Sequence, residues 1–516
     1  MLLLLVKNNI CETNEFEMVT CFHSNRLYLF KSICYNGFIS FKYYSRIPSI
    51  VRYRAQSKTL VTQKIDSPEY KTLLTPSLLK LADLFKANQY ELRMAGGAVR
   101  DLLMGIRPHD IDFATTATPD QVKQMLSDAD IRMINSNGEK HGTITARLDD
   151  KENFEVTTLR VDVVTDGRHA VVEYTKDWQL DASRRDLTIN ALFLDLEGIV
   201  YDYFNGIDDL KHRRIRFVGD PVKRIREDYL RIIRYFRFFG RLANDNAVHD
   251  EETLKAIRDN VDGLNNISGE RLWIELKRIA EGRNAGPVLK AMLEQNTGQY
   301  LGIPTNCNLN QLEEHWRKCY QANPHALTIL TKLFRNMDEL VTFEKRMRYS
   351  NDCRRLAQLL VAFRDSIFPL NSTSADSLKP YKDLLADLSV FDPDVKEKIL
   401  ELLKYQHHLK EAQQLADWTL PHFPISAGML ALKRVKQDGN YKIIMNELRE
   451  AWKKSDFQAT EKQLLDETLP IILKTLPTTI ATMASQENKN MIPPVYTIPK
   501  KRKKKEPTSA STTKAT

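Results

Sequence analysis

The chain lacks the features of a disulfide scaffold or a bilayer-spanning protein. Its 516 residues include only six cysteines, at 11, 21, 34, 307, 319 and 353, and no Cys-x-x-Cys pair. A disulfide framework or a zinc ribbon is therefore not expected, and a reducing compartment fits. Long apolar runs are also missing. Residues 1–6 are apolar but stop at Lys7, and no later run approaches the roughly 20 residues a membrane helix needs. Collagen-like, coiled-coil and fully disordered compositions are excluded as well. What is present is ordinary for a globular protein, with 42% hydrophobic and 28% charged residues. At roughly 100–200 residues per domain, the length allows about three or four domains.

Acids are absent between residues 18 and 65, where eight Lys/Arg occur. The overall net charge of +9 is therefore unevenly placed. Residues 18–65 carry +8, residues 500–505 carry +6, residues 1–17 carry −2 and residues 506–516 none, which leaves −3 for residues 66–499. A nucleic-acid site in that body must come from local patterning, not bulk charge. Residues 1–65 read as a mitochondrial transit segment, or more simply as a disordered basic arm. Glu12, Glu15 and Glu17 stand where a presequence should lack acids, so Met18 is a second candidate start. Residues 500–505 read as a nuclear-localisation signal or a phosphate-binding tail. The Pro-, Thr-, Ser- and Lys-rich residues 485–516 are expected to be disordered. These two ends predict a mitochondrial protein with a nuclear or cytosolic pool.

Residues 66–215 alternate strand and helix patterns, as a mixed α/β domain does. Strands are expected at 90–95, 110–114, 143–148, 153–159 and 192–196, and helices at 98–104 and 119–126, the latter capped by Thr118. From about residue 220 the pattern is helical throughout, including 221–241, 269–280 and 326–334. The fold class is therefore multidomain α+β, a mixed head followed by an all-helical remainder.

The most informative stretch is Ala95-Gly96-Gly97-Ala98-Val99-Arg100-Asp101, followed by Asp110-Ile111-Asp112. On a strand, Asp110 and Asp112 point to one face. Two such carboxylates repel unless a cation lies between them, and Mg²⁺ binds through one or two carboxylates, water and phosphate oxygens. Gly96 and Gly97 let backbone amides turn toward an anion. Arg100, in the first turn of the helix that follows, could hold a phosphate bidentately. Glu155 sits between Phe154 and Val156, so on a strand it faces away from both. It is the candidate third carboxylate, a metal ligand or proton acceptor, or else an exposed strand residue. Arg184 and Arg185 could bind a triphosphate, with Asp186 orienting one of them. Residues 201–209 read mainly as a structural turn.

Between Lys211 and Arg241 there are eleven Lys/Arg and three acids. Helical spacing puts Asp228, Arg231, Arg234, Arg237 and Arg241 near one side. Apolar residues such as Ile232, Ile233, Phe236 and Phe239 fill much of the rest, so the arginines line a cleft and need anions. An Asp and an Arg could also read a base. Cytosine and adenine both offer an amine beside a ring-nitrogen acceptor, which a carboxylate and a guanidinium complement. Guanine and uracil present the reverse pattern and leave both groups unpaired.

GGAVRD with DID, RRDLTINAL, the turn at 202–209, EDYLRIIR and SGERLWIE together resemble the five ordered motifs of the class II CCA-adding tRNA nucleotidyltransferases, of the eukaryotic mitochondrial type. The resemblance is dense over about 66–290 and thinner to about 480. It implies a catalytic nucleotidyltransferase head (66–215), a helical neck that recognises the base (216–290), a helical body and tail that bind tRNA (291–484), and a basic tail (485–516). It implies addition of C, C and A to tRNA 3′ ends from CTP and ATP with Mg²⁺. By motif position, Asp110 and Asp112 would bind metal. Gly96, Gly97, Arg100, Arg185, Asp228, Arg231, Arg234 and Arg237 would bind nucleotide. Residues 163–172 resemble the family's mobile loop, and Glu275 looks structural. The competing readings are a poly(A) polymerase of the same superfamily and a non-catalytic RNA-binding protein on the same fold. His249-Asp250, without further ligands in register, does not support a phosphohydrolase.

Overall fold

The computed structural model describes residues 18–23, 26–35, 38–43, 60–134, 142–165, 170–244, 247–365, 378–433, 435 and 440–475. The first three segments, together with 163–165 and 170–171, are described by their backbone alone. Residues 500–505 and 166–169, the centre of the expected mobile loop, lie outside the described residues. The chain divides into two units, Met1–Thr59 and Leu60–Thr516. In the first, Met18–His23, Arg26–Tyr35 and Phe38–Tyr43 form an antiparallel meander.

The second unit opens with an eight-stranded sheet. Its order is Val61–Lys64, Ile199–Asp202, Leu192–Leu194, Leu92–Ala95, Asp112–Thr115, Glu152–Thr158, Thr143–Leu148 and Arg132–Ile134. All neighbours are antiparallel except Asp112–Thr115 and Glu152–Thr158, which run parallel. The edge strand Val61–Lys64, grouped by composition with the basic arm, thus belongs to this sheet. One face packs on Leu78, Leu81, Phe85, Val99, Val122 and Leu126, all buried. The helix Pro119–Asp128 starts where expected, with Thr118 and Gln121 forming a reciprocal capping box. Arg160–Thr165 and Ala170–Tyr174 form a separate two-stranded hairpin.

Two expected elements differ in ways that matter to the site. The strand carrying the aspartates begins at Asp112, not Asp110. Pro108 fixes its own φ and has no N–H for a ladder, and Asp110 lies in a bend beyond it. The helix expected over 221–241 is two helices, Pro221–Glu227 and Leu230–Leu242. Asp228 stands between them in extended conformation, with φ −152° and ψ 105°. Its Oδ1 accepts the Leu230 amide at 3.1 Å, a side-chain bond that competes with helix continuation.

Leu230–Leu242 is packed by Gly269–Ala280 and Ala285–Leu293. One hydrophobic core runs from Leu187 through these helices to Leu415, and a smaller one holds the chain from Ala386 to Ile472. The first begins inside the head sequence, which ties the arginine helix to the sheet.

Candidate active site

A cavity of about 1060 Å³ lies between the sheet and the Leu230–Leu242 helix. Gly96, Gly97, Arg100, Asp112, Glu155, Arg185, Asp228, Arg231, Arg234 and Arg237 all line it. Residues as distant in sequence as Gly96 and Arg237 meet here because the sheet end and the helix share a core. Asp110 is not in the wall, and its side chain is 91% exposed, 3.3 Å from His109.

The carboxylates occupy one end. Asp112 and Glu155 are register partners on the two parallel strands. Phe154 and Val156 are buried while Glu155 faces the cavity, as period two requires. The Asp112 carboxyl is raised above the usual range, first by burial, then by the negative charges of Glu155 and Asp110, with Arg185 acting in the opposite sense. Like charges held together in this way fit a divalent cation. Among the described residues, no three Asp, Glu, His or Cys side chains form a metal cage.

The double glycine shapes the wall beside them. Gly96 adopts φ 68° ahead of the helix Gly97–Leu103. A Cβ there would approach the Arg185 guanidinium to 3.1 Å. Arg100 is buried, with Nε and Nη2 on Asp101 Oδ1 at 2.9 and 2.8 Å and Nη1 on Asn190 Oδ1 at 2.7 Å. The fork expected to grip a phosphate bidentately is thus occupied by Asp101.

The paired arginines are oriented by Asp181, not by Asp186. Asp181 is 1% exposed. Its Oδ1 accepts from Arg184 Nε and Nη2 at 2.9 and 2.7 Å and from the Arg160 amide at 3.2 Å. Its Oδ2 accepts from Arg185 Nε and Nη2 at 3.2 and 3.1 Å. Burial alone would raise this carboxyl, but the two arginines and the Arg160 amide hold it below its ordinary value. Asp186 instead accepts from Arg234 Nε at 2.7 Å, the Leu187 amide at 2.8 Å and Asn190 Nδ2 at 3.2 Å. The signal for Asp181 was its i,i+3 and i,i+4 spacing to Arg184 and Arg185 on the Trp178–Ser183 helix.

The far wall is a set of arginines with fixed partners. Buried Glu275 pairs with Arg237 at 3.0 Å and Arg234 at 3.5 Å. Burial pulls the Arg237 guanidinium down to about 10, which leaves it cationic at neutral pH. The Arg231 amide donates to the Asp228 carbonyl at 3.0 Å, but their side chains have different partners. Arg231 donates to Glu227 Oε2 at 2.6 Å and to the carbonyls of Arg224 and Arg184 at 3.0 and 2.7 Å. Asp228 Oδ2 accepts from Arg271 at 2.8 Å. Each is held by a different neighbour while lining one cavity. Sequence reasoning missed Asp181, Asn190 and Arg271.

The turn at 202–209 is structural. Asp202 accepts the amides of Phe204, Gly206 and Ile207, and fully buried Asp209 holds Thr188, Arg214 and Arg216. His249 stacks on Phe239 with centroids 3.6 Å apart, and Asp250 caps the helix Glu251–Arg258.

Carboxylates at one end of a nucleotide-sized space, with guanidinium groups along the rest, are the arrangement of a nucleotidyltransferase. Residues 92–216 match the family model described as the poly A polymerase head domain. Residues 250–301 match the one described as the probable RNA and SrmB-binding site of polymerase A. The mitochondrial CCA tRNA nucleotidyltransferase 1 of Danio rerio is 48% identical over 408 residues, 79% of this chain and 94% of the relative. Its Homo sapiens counterpart is 46% identical over 409 residues, 79% of this chain and 93% of the relative. The chain belongs to the CCA tRNA nucleotidyltransferase family. Among solved structures, the Bacillus stearothermophilus CCA-adding enzyme in complex with CTP shares the fold, with a TM-score of 0.61 and 22% identity, over 80% of this chain and 100% of that one. The Thermotoga maritima CCA-adding enzyme complexed with tRNA does so with a TM-score of 0.57 and 17% identity, over 80% and 99%.

Proposed function

We propose that this cavity adds C, C and A to the 3′ end of tRNA from CTP and ATP, without a nucleic-acid template. The observation that carries this reading is the wall that offers Asp228 and Arg231 separately oriented within the same space as Asp112 and Glu155. The tRNA 3′-hydroxyl attacks the α-phosphorus. A bond forms to the 3′ oxygen, the bond from the α-phosphorus to the bridging oxygen breaks, and pyrophosphate leaves.

Asp112 in the wall, and Asp110 outside it but close enough to raise the Asp112 carboxyl, are the residues that would hold Mg²⁺. When bound, Mg²⁺ supplies Lewis-acid stabilisation of charge on the phosphoryl oxygens and lowers the hydroxyl's pKa. Glu155, in register with Asp112, accepts the hydroxyl proton. Arg185, Arg234 and Arg237 balance the triphosphate charge, while Gly96 and Gly97 keep the wall free of side chains. Arg100 acts through Asn190 and Asp101 rather than by a bidentate phosphate contact. Asp228 accepts the base amine and Arg231 donates to the ring nitrogen. In that account the head spans about 66–215 with Val61–Lys64 as its edge, the neck 216–290, and the tRNA-binding body and tail 291–484.

The relatives' names say mitochondrial. We place the chain there too, with a transit segment drawn from residues 1–60, ahead of the edge strand Val61–Lys64. A nuclear or cytosolic pool rests on residues 500–505 alone, and fractionation that finds the protein only in mitochondria would remove it.

The test is incubation of the purified chain with Mg²⁺, tRNA lacking its CCA end and each labelled nucleotide, singly and together. Growth by three nucleotides, with CTP required before ATP, is expected. Long ATP-only tails would reassign the chain to poly(A) synthesis, and no incorporation would favour the RNA-binding reading.

A further inference from the structure

A second cavity of about 710 Å³ lies beyond Gly282 and Arg283, and these two residues line both cavities. Trp316, Tyr320, Gln321, Asn323, Pro324 and His325 form much of its wall. Trp316 and Tyr320 stack, with ring centroids 5.0 Å apart and an interplanar angle of 30°. Trp316 is buried, whereas Tyr320 is 40% exposed. One face of the tyrosine ring is thus backed by an indole and the ring remains accessible. A single exposed aromatic is unremarkable by itself. This one is carried on a loop that is fixed from behind.

The loop begins with the 3₁₀ turn Tyr320–Ala322 and reverses at Asn323, which has φ 46°. Glu401 accepts the His325 amide at 2.9 Å and also the Thr328 hydroxyl. Lys404 pairs with Glu401 at 2.7 Å and reaches the Asn323 carbonyl at 3.4 Å. His325 accepts the Leu327 amide on Nδ1 at 3.1 Å, which puts its proton on Nε2. Burial holds its pKa below the ordinary value, so the ring is a neutral donor. A pre-positioned aromatic shelf beside a neutral donor suits a nucleobase.

The charge of this wall separates it from the first cavity. There, arginines dominate. Here, Glu281 and Glu401 stand beside Arg283, whose Nη2 is bonded to the Ala243 carbonyl at 2.7 Å. Such a wall does not suit a triphosphate. It does suit bases of a single strand, whose stacking on an aromatic ring is indifferent to sequence. That indifference matters, because the terminal base of the acceptor changes with each addition.

We infer that the second cavity is a subsite for the unpaired 3′-terminal nucleotides of the RNA acceptor, with one base stacked on Tyr320. The inference rests on the reading that the first cavity extends a tRNA 3′ end. Gly282 and Arg283 belong to both walls, so the shelf adjoins the cavity that would extend the strand.

The experiment uses the full chain with Tyr320→Ala and Tyr320→Phe, the first removing an exposed ring and the second keeping it. KM and kcat are measured for tRNA lacking CCA and for tRNA ending in CC. Binding is followed with the same RNAs carrying 2-aminopurine at their last positions. Tyr320→Ala is expected to raise the KM for tRNA about tenfold, equivalent to about 1.4 kcal/mol, with the KM for CTP and ATP unchanged. Tyr320→Phe should match the parent. The parent and Tyr320→Phe should quench 2-aminopurine at one of the positions, and Tyr320→Ala should not. If the parent adds CCA and Tyr320→Ala matches it in tRNA KM and quenching, the subsite is wrong and the function stands. If the parent adds nothing but still quenches through Tyr320, the function is wrong and the subsite stands.

Discussion

At the scale of single residues, the site depends on a few buried carboxylates that fix cations. Asp181 is the clearest case, since one side chain holds Arg184, Arg185 and the amide at the root of the hairpin. Asp181→Asn should raise the KM for CTP and ATP about tenfold or more, the usual cost of losing a group that orients a binding residue. A KM left unchanged while thermal stability falls would make Asp181 purely structural. The carboxylates proposed to react should behave differently. Asp112→Asn removes a proposed metal ligand and should lower kcat on the order of a thousandfold, whereas Glu155→Gln, if it loses only a proton acceptor, should cost about a hundredfold. Single-turnover incorporation with saturating tRNA reads both, and equal small losses would contradict the division of roles.

At the scale of elements, the break between Pro221–Glu227 and Leu230–Leu242 is the feature that frees Asp228 from the helix. It is supported from outside by Gly263, where a Cβ would stand 2.0 Å from the Tyr229 ring. Gly263→Ala should displace Tyr229 and with it the neighbouring Asp228, costing about 1–3 kcal/mol of stability as overpacking does. It should also weaken discrimination between CTP and UTP. Urea unfolding and paired kcat/KM measurements check this, and intact discrimination would show that Asp228 is set independently of Tyr229. Such tertiary support explains what the sequence could reveal and what it could not. The double glycine, the Thr143–Leu148 strand, the Gly269–Ala280 helix and the outward Glu155 follow from local periodicity and turn chemistry. Asp228 seemed helical because its arginine spacing continues across the break. Asp110 seemed to lie on the strand because a two-residue spacing is the same in a bend. Asp186 reads from sequence as orienting one of the adjacent arginines because its partner, Arg234, lies 48 residues away.

At the scale of the whole molecule, the fold holds buried His315 and half-buried His249 neutral and so loses stability on acidification. Burial pushes His249 and His315 from 6.5 down to about 4. In the unfolded chain both take up protons as pH falls below about 6.5, while the folded chain does not until about 4. The stabilisation is nearly complete above pH 7 and declines from there toward pH 4, by about 2 kcal/mol for each histidine and about 4 kcal/mol for the pair at pH 5. A urea midpoint unchanged between pH 7 and pH 5 would contradict this.

In the proposed function, protein side chains rather than a template choose the base. The most direct measurement is kcat/KM for CTP, ATP, GTP and UTP with Asp228→Ala. The account predicts a loss of preference for CTP over UTP of at least tenfold, with Asp112-dependent chemistry still present. Unchanged discrimination, with only a uniform fall in rate for all four nucleotides, would contradict it.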